Sequence, residues 1–308
     1  LLTEKPAPCV IKGVSGSFND KIKLNYYFDI PESVVDEGGA HVTITNGATA
    51  EAVTLPVEEA DFVEGKGFRF SIPLAAKEAS DTITARLFDQ WGNELSIQNN
   101  GGDTDYTKTG VQYSLAEYLT WLETGDVYEK DKAVGEADKD YHTAAEIYFD
   151  YNTETLQDQS FSSKVEEVTE ETMSEYRSVR DGDHLPEGVS IRGISAMLES
   201  NNTLRLYLGF NDVDPYAFTY HIDDEEVELK KRKDGAYYLA LESGVDPNHL
   251  QDEHIYSVSD GSYTYSIKAS VLTYARSCVI TKNTKISNLG KTLYLYNKAA
   301  VAAFGDEE

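Results

Sequence analysis

The chain has 308 residues, of which 27 are Lys or Arg and 54 are Asp or Glu, and its formal net charge is −27. Its length favours two domains, and its hydrophobic content of 40% is that of a folded protein. The acidic balance argues against nucleic-acid binding, because such proteins need Lys and Arg to displace counterions from phosphates. No apolar run is long enough to span a membrane, so we expect neither a membrane span nor a nucleic-acid partner.

The first half of the chain begins with β-strand patterns. Between Lys21 and Ile30 every second residue is apolar, which is typical of a half-buried antiparallel strand. Shorter runs of the same kind follow at Val42–Ile44, Phe68–Ile72 and Ile83–Leu87. Turn residues such as Gly and Asn separate these runs, so the pattern predicts an antiparallel sheet structure.

The apolar period changes from two to 3.6 after these strands. Ser114 and Glu117 have the spacing of a capping box, in which two side chains satisfy free N–H groups at a helix start. The pattern predicts a helix over Leu115–Gly125 and a second helix from about Asp131 to Asn152.

The same order of elements recurs in the second half of the chain. Three stretches align between the halves: Thr203–Phe210 with Lys21–Phe28, Tyr265–Ile267 with Tyr113–Leu115, and Tyr296–Phe304 with Tyr141–Phe149. The second alignment predicts that Tyr265-Ser266 opens a helix. Such a repeat indicates a duplicated module.

The sequence therefore predicts an α+β, mostly β, fold. We expect two tandem antiparallel β-sandwich-like modules, each followed by a packed helical pair. The first copy is predicted to span residues 1–152 and the second residues 165–308, joined by a linker at residues 153–164.

Two aromatic side chains are candidates for ligand binding, because an exposed aromatic ring can stack on a sugar ring. Trp91 lies in the turn of residues 89–93, and Tyr27 lies on the polar face of its strand. The alternative for Trp91 is packing beneath its own hairpin. The other tryptophan, Trp121, lies beside the apolar stripe of its helix and is predicted to be in the core.

One loop is a candidate for binding Ca²⁺. Asn99, Asp103 and Asp105 place oxygen ligands on a Gly-containing segment, which suits a hard cation. The spacing of an EF-hand is absent, and the alternative is an acidic loop without a cation. His142 and Glu146 stand at i and i+4 on a helix and could share a metal, but we expect an ordinary surface pair.

The remaining chemistry-bearing residues predict neither catalysis nor an organic cofactor. Gly290-Lys291-Thr292 resembles the end of a phosphate loop, but Lys285 stands where such a loop requires glycine. Cys9 and Cys278 could form a long-range disulfide or remain separate thiols, and we expect separate thiols. With 54 acidic residues, a pairing of two carboxylates carries no information about a glycosidase.

Four motifs carry a resemblance to a known group of proteins: Asp81–Ala85, Tyr113–Tyr118, Tyr141–Phe149 and Leu293–Phe304. In their order they resemble uncharacterised tandem β-sandwich-plus-helix modules of large extracellular and surface proteins of anaerobic gut Firmicutes. The resemblance covers nearly the whole chain. It implies a secreted or cell-surface location within a multi-module protein, and it implies no catalytic residues. The cysteines and the insertion at residues 92–109 depart from it.

The leading hypothesis is a non-catalytic structural or adhesive module of a secreted or cell-surface bacterial protein. Its expected partner is an extracellular polysaccharide or protein. The first alternative is a carbohydrate-binding module, and the second is a hydrolase with an unrecognised acidic site. Leu1 in place of an initiator Met is expected of a chain whose signal peptide has been removed.

Overall fold

A computed structural model describes residues 8–101, 107–154, 160–182, 184–198 and 202–305. The chain forms two compact units. Unit 1 comprises Leu1–Ser17, Ile22–Leu74 and Glu78–Asp126, and unit 2 comprises Phe18–Lys21, Ala75–Lys77 and Val127–Glu308. Both units are built mainly from antiparallel sheets with few helices, which confirms the predicted α+β, mostly β, fold class.

The described residues of unit 1 form ten strands and two α-helices: β1 (Cys9–Ser17), β2 (Lys23–Asp29), α1 (Glu32–Asp36), β3 (His41–Asn46), β4 (Ala52–Pro56), β5 (Asp61–Val63), β6 (Gly67–Pro73), β7 (Ile83–Phe88), β8 (Ile97–Asn99), β9 (Thr107–Lys108), β10 (Val111–Tyr113) and α2 (Leu115–Thr124). One sheet has the order β5-β6-β2-β1-β8-β9, and the other has the order β10-β7-β3-β4. β1 pairs with β8 in parallel, and the other pairs of these sheets are antiparallel.

The alternating residues of the first long strand form the core of unit 1, as predicted. Leu24, Tyr26 and Phe28 are fully buried. The Tyr26 hydroxyl donates a hydrogen bond of 2.8 Å to the carbonyl of Ile83, which lies in the second sheet. A buried phenol needs such a partner, because an unpaired hydroxyl in a core is costly. The bond therefore ties the two sheets together.

Unit 2 contains the remaining elements: α3 (Glu129–Phe149), α4 (Ser163–Glu167), β11 (Val179–Asp181), β12 (Val189–Leu198), β13 (Asn202–Phe210), β14 (Thr219–Ile222), β15 (Glu225–Glu226), β16 (Lys230–Lys231), β17 (Tyr237–Ala240), β18 (His254–Ser259), β19 (Thr264–Ala269), α5 (Val271–Val279) and α6 (Thr284–Phe304). Its sheets have the orders β12-β13-β17-β16 and β11-β19-β18-β14-β15. The Tyr256 hydroxyl donates to the Leu204 carbonyl across these two sheets at 3.1 Å.

The two units repeat one strand topology. The order β12-β13-β17-β16 reproduces β1-β2-β6-β5, and β19-β18-β14-β15 reproduces β10-β7-β3-β4. The first strand pair also carries the same irregularity in both units. A β-bulge lies between Ile11 and Gly13 in β1, and another lies between Ile191 and Gly193 in β12. The bulges give a fixed landmark for aligning the copies.

This landmark corrects the alignment of the first long strands. Gly13 pairs with Tyr27, and Gly193 pairs with Tyr207. Tyr207 is therefore the counterpart of Tyr27, whereas the sequence alignment had matched Phe210 with Phe28. The error is two residues, and a shift of two leaves the inward face of a strand unchanged, so the apolar pattern could not detect it.

The helix starts agree with the prediction in unit 1 and differ in unit 2. Helix α2 begins with the predicted capping box of Ser114 and Glu117. Tyr265-Ser266 does not open a helix, because both residues lie in strand β19. The capping box of unit 2 is formed by Ser270 and Thr273 at the start of α5.

The two longest helices, α3 and α6, pack against each other within unit 2. Helix α6 also packs on α5, where a Cβ atom at Gly290 would lie only 2.4 Å from the Ala275 carbonyl oxygen. The glycine of the rejected phosphate-loop motif thus permits close approach of two helices. The sequence prediction had placed residues 127–152 with the first copy, and in the structure they belong to the compact unit of the second.

Candidate functional site

The candidate site is a groove of about 390 Å³ in unit 1, which we call the aromatic groove. Its lining residues come from β1, β2, the β5–β6 turn, the end of β8, β10 and α2: Lys12, Gly13, Val14, Ser15, Tyr27, Gly65, Lys66, Asn100, Tyr113, Tyr118 and Trp121. Its volume is within the range of small-molecule binding pockets. The groove brings together four aromatic side chains and two lysines.

Helix α2 forms one wall of the aromatic groove. Leu115, Leu119 and Leu122 of this helix are buried, which fixes the orientation of its other faces. Tyr118 and Trp121 lie at i and i+3 beside this apolar stripe, with ring centroids 5.6 Å apart and planes 27° apart. The two rings therefore form one stacked aromatic surface.

The prediction that Trp121 lies in the core is wrong, because 49% of its surface is exposed. Trp121 is one position before Leu122, and consecutive residues of an α-helix are about 100° apart around the helix axis, so Trp121 lies on a different face from the buried leucines. The sequence signal that could have identified this wall is the pair of aromatic residues three apart, outside the leucine stripe.

Tyr27 lies on the floor of the groove, and 8% of its surface is exposed. Its hydroxyl lies 3.2 Å from the Ser15 Oγ atom, and the Lys66 Nζ atom lies 5.0 Å from its ring centroid. A lysine over an aromatic face is a favourable cation–π contact. Tyr27 was predicted as a binding residue, and the structure places it in the groove as a supported, mostly buried side chain.

Among the described residues, the charged side chains that line the aromatic groove are basic, whereas the chain as a whole is acidic. Lys12 and Lys66 line the groove, and its described lining residues include no Asp or Glu. The whole chain has 54 acidic residues and a net charge of −27. Among the described residues, neither lysine forms an ion pair with a carboxylate.

Trp91 is at the tip of a turn and outside the aromatic groove. Its indole is 70% exposed, which excludes packing beneath its own hairpin. The Asp89 carboxylate organises the turn by accepting hydrogen bonds from the backbone N–H groups of Trp91 and Asn93 at 2.9 and 2.8 Å. The side chain of Asn93, together with these backbone bonds, lowers the pKa of Asp89. The structure does not bring Trp91 and Tyr27 into one groove.

The predicted calcium loop lies only in part within the described residues. Asn99 ends strand β8 and is exposed, and Asp103 and Asp105 lie outside the described residues. Across the described ranges, no group of three or more His, Cys, Asp or Glu side chains is placed to hold a metal ion.

The prediction of a surface pair at His142 and Glu146 is wrong. Both side chains are buried, and only 3% of the His142 surface is exposed. The Nδ1 atom of His142 donates to the Ala76 carbonyl, and its Nε2 atom lies 2.9 Å from the Asp138 Oδ2 atom. Burial disfavours the charged ring, but Asp138 and the hydrogen bonds outweigh this effect and raise the pKa of His142. The cluster is an internal ion pair of unit 2.

Comparison with known protein families gives no matching family, and comparison with curated proteins gives no match either. In the described part of the chain, no helix is both long enough and apolar enough to cross a membrane.

Proposed function

We propose that the chain is a non-catalytic binding module of an extracellular or cell-surface bacterial protein, and that its aromatic groove binds a polysaccharide. One observation carries this proposal. Trp121 is half-exposed and stacks with Tyr118 at the wall of a groove that lacks acidic side chains among its described lining residues.

The physical basis of recognition is the shape and polarity of these side chains. The C–H faces of a sugar ring are apolar and pack on a flat aromatic surface, while its hydroxyl groups need hydrogen-bond partners. Tyr118 and Trp121 supply the surface, and Ser15, Asn100 and the Tyr27 hydroxyl supply polar groups. A rigid aromatic wall loses little conformational entropy on binding, which favours affinity.

The same groove does not favour the hydrolase alternative. Glycosidases require two carboxyl groups flanking the scissile bond, about 5 to 9.5 Å apart. No carboxyl group is present among the described residues that line the aromatic groove. The groove therefore supports a binding role over hydrolysis.

The direct test compares two tryptophan variants in the full chain. Binding to a panel of plant and microbial polysaccharides is measured by affinity electrophoresis, and the dissociation constant of the best ligand is measured by calorimetry. We expect Trp121→Ala to weaken binding about tenfold or more, equivalent to about 1.4 kcal/mol. Trp91→Ala is the matched control, because Trp91 is also exposed but lies outside the groove.

Two results contradict the proposal. One is unchanged affinity in Trp121→Ala together with a loss in Trp91→Ala, which moves the site to the turn. The other is the absence of binding to every polysaccharide tested. Since the chain has two tryptophans, the variant Trp91→Phe makes the fluorescence report on Trp121 alone. A ligand in the groove is then expected to change the emission of that variant.

A further inference from the structure

The bulge of unit 2 carries the same residue types as the bulge of unit 1. Lys12 and Arg192 are the residues that the two bulges leave unpaired. Each is followed by a glycine, and each glycine pairs with a tyrosine on the neighbouring strand, which is Tyr27 in unit 1 and Tyr207 in unit 2. These counterparts are separated by 180 residues throughout.

A second groove, of about 540 Å³, lies at this position of unit 2. We call it the bulge groove, and its side walls include Arg192, Tyr207, Phe210 and Tyr237. The rings of Phe210 and Tyr237 meet edge to face at 5.2 Å. As in the aromatic groove, the described lining residues include a basic side chain and several aromatic rings but no Asp or Glu.

The side chain of Arg192 lies against Gly209 of the neighbouring strand β13. A Cβ atom at Gly209 would be 2.2 Å from the Arg192 Nε atom, so this glycine leaves the space that the guanidinium occupies. Arg192 is nevertheless exposed to solvent. The guanidinium thus lies against the backbone of Gly209 and is accessible to a ligand.

Further arginines strengthen the positive field around Tyr207. Arg232 and Arg205 both act on the Tyr207 hydroxyl, and the Arg205 guanidinium lies 4.7 Å from the ring centroid of Tyr238. Partial burial opposes ionisation of the phenol, but the hydrogen bonds from the two arginines outweigh it and lower the pKa of Tyr207. Arg232 also forms an ion pair with Asp234, with 3.1 Å between Nη2 and Oδ2, so its charge is partly balanced. Arg192 and Arg205 remain the cations that make this surface of an acidic chain attractive to anions.

We propose that the bulge groove is a second polysaccharide-binding site, and that the basic residue of each bulge binds the carboxylate of a uronic-acid sugar. Arg192 fulfils this role in unit 2, and Lys12 fulfils it in unit 1. The inference rests on the proposed function for the class of ligand, and it adds the acidic character of the sugar and the second site.

Both units share a basic residue in the bulge, a glycine after it and a tyrosine paired with that glycine. The structural requirements of a β-bulge explain only part of this shared pattern. A bulge favours glycine because of its backbone freedom, but it requires neither a basic residue before the glycine nor a tyrosine opposite it. The two copies differ at most other positions of this strand pair, including Asn25 against Arg205. A guanidinium also matches a carboxylate geometrically, with two parallel hydrogen bonds.

The test is a calorimetric titration of the full chain with a tetrasaccharide of galacturonic acid. We expect two sites per chain. Arg192→Gln is expected to abolish one site or weaken it at least tenfold, and Trp121→Ala is expected to do the same to the other. Arg180→Gln is the matched control, since Arg180 is exposed on strand β11 of the same unit and outside the bulge groove.

The outcomes separate the inference from the proposed function. A stoichiometry of one that is lost in Trp121→Ala and unchanged in Arg192→Gln overturns the inference and leaves the proposed function intact. Loss of one site in Arg192→Gln without any effect of Trp121→Ala supports the bulge groove and contradicts the aromatic groove. Two further results overturn the assignment of a uronic-acid sugar. One is that neutral dextran binds as tightly as the galacturonate ligand, and the other is that dextran sulfate binds while the galacturonate ligand does not.

Discussion

Tyr141 and Tyr296 stack on each other in unit 2, with ring centroids 5.4 Å apart and ring planes 16° apart. Each tyrosine begins the repeated Tyr-x-x-Ala-Ala-x-x-x-Phe motif of its helix, α3 or α6, and each is fully buried. Ala145 and Ala300, which occupy the same motif position, are also fully buried. The tyrosine of each motif copy therefore packs against the tyrosine of the other copy where α3 and α6 meet.

The first prediction concerns this tyrosine pair. Tyr141→Ala or Tyr296→Ala is expected to lower the free energy of unfolding by about 3 to 5 kcal/mol, because each removes a large buried side chain and leaves a cavity. A double-mutant cycle should give a coupling of about 1 kcal/mol, as stacked rings interact beyond the area they bury. Urea denaturation followed by circular dichroism measures both quantities.

The control for this prediction is Tyr296→Phe. The Tyr296 hydroxyl is buried without a hydrogen-bond partner among the described residues. Removing it should leave stability unchanged or raise it, since an unsatisfied buried polar group is unfavourable. A loss above about 1 kcal/mol in this variant contradicts the described environment of Tyr296.

The second prediction concerns the pH dependence of the pair formed by His142 and Asp138. The pKa of His142 is raised above its ordinary value of 6.5, so its contribution to stability is complete below about that pH. The contribution is lost as pH rises through the raised pKa, because the neutral ring no longer donates from Nε2 to Asp138. The difference in Tm between the wild type and His142→Asn should therefore be larger at pH 5.5 than at pH 9.

Asp138→Asn serves as the control for the His142 prediction. The amide can donate to a neutral ring, so this variant should show little of the pH dependence that the wild type owes to the pair. Removing one partner of a buried ion pair is expected to cost about 3 kcal/mol at the pH where the pair is charged. A difference in Tm that is constant from pH 5.5 to 9 excludes the charged pair.

The third prediction is that the two thiols do not react in the native protein. Cys9 and Cys278 are free and buried. Burial, with a smaller effect of Asp29, raises the pKa of Cys9 to about 11, and burial raises the pKa of Cys278. A thiol reagent at pH 8 should label both only after denaturation. A reductant should lower Tm by less than about 5 °C, which corresponds to about 1 to 2 kcal/mol at this size, and a larger decrease indicates a disulfide.

The fourth prediction concerns the capping boxes of α2 and α5. Ser114→Ala and Ser270→Ala should each cost about 1 kcal/mol, because each hydroxyl accepts a hydrogen bond from a backbone N–H group of the first turn. Ser174→Ala is the control, since Ser174 is exposed and outside a cap, and its cost should stay within about 0.5 kcal/mol. Equal costs in all three variants contradict the capping role.

The features that could be predicted from the sequence alone depend on residues close together along the chain. The inward faces of the strands around Leu24 and Leu206, and the helix start at Ser114, were readable because they depend on residues two to four positions apart. The repeated order of these signals also indicated a duplicated module. The two units share one strand topology, as a duplication predicts.

The tertiary structure alone decided which side chains meet. A strand alignment in error by two residues keeps its apolar face, so only the bulge pairing revealed that Tyr207 corresponds to Tyr27. The burial of His142 depends on the elements that pack against its helix, which a helical period does not specify. Both grooves lie between strands and turns distant in sequence, and their basic, aromatic character exists only after the chain has folded.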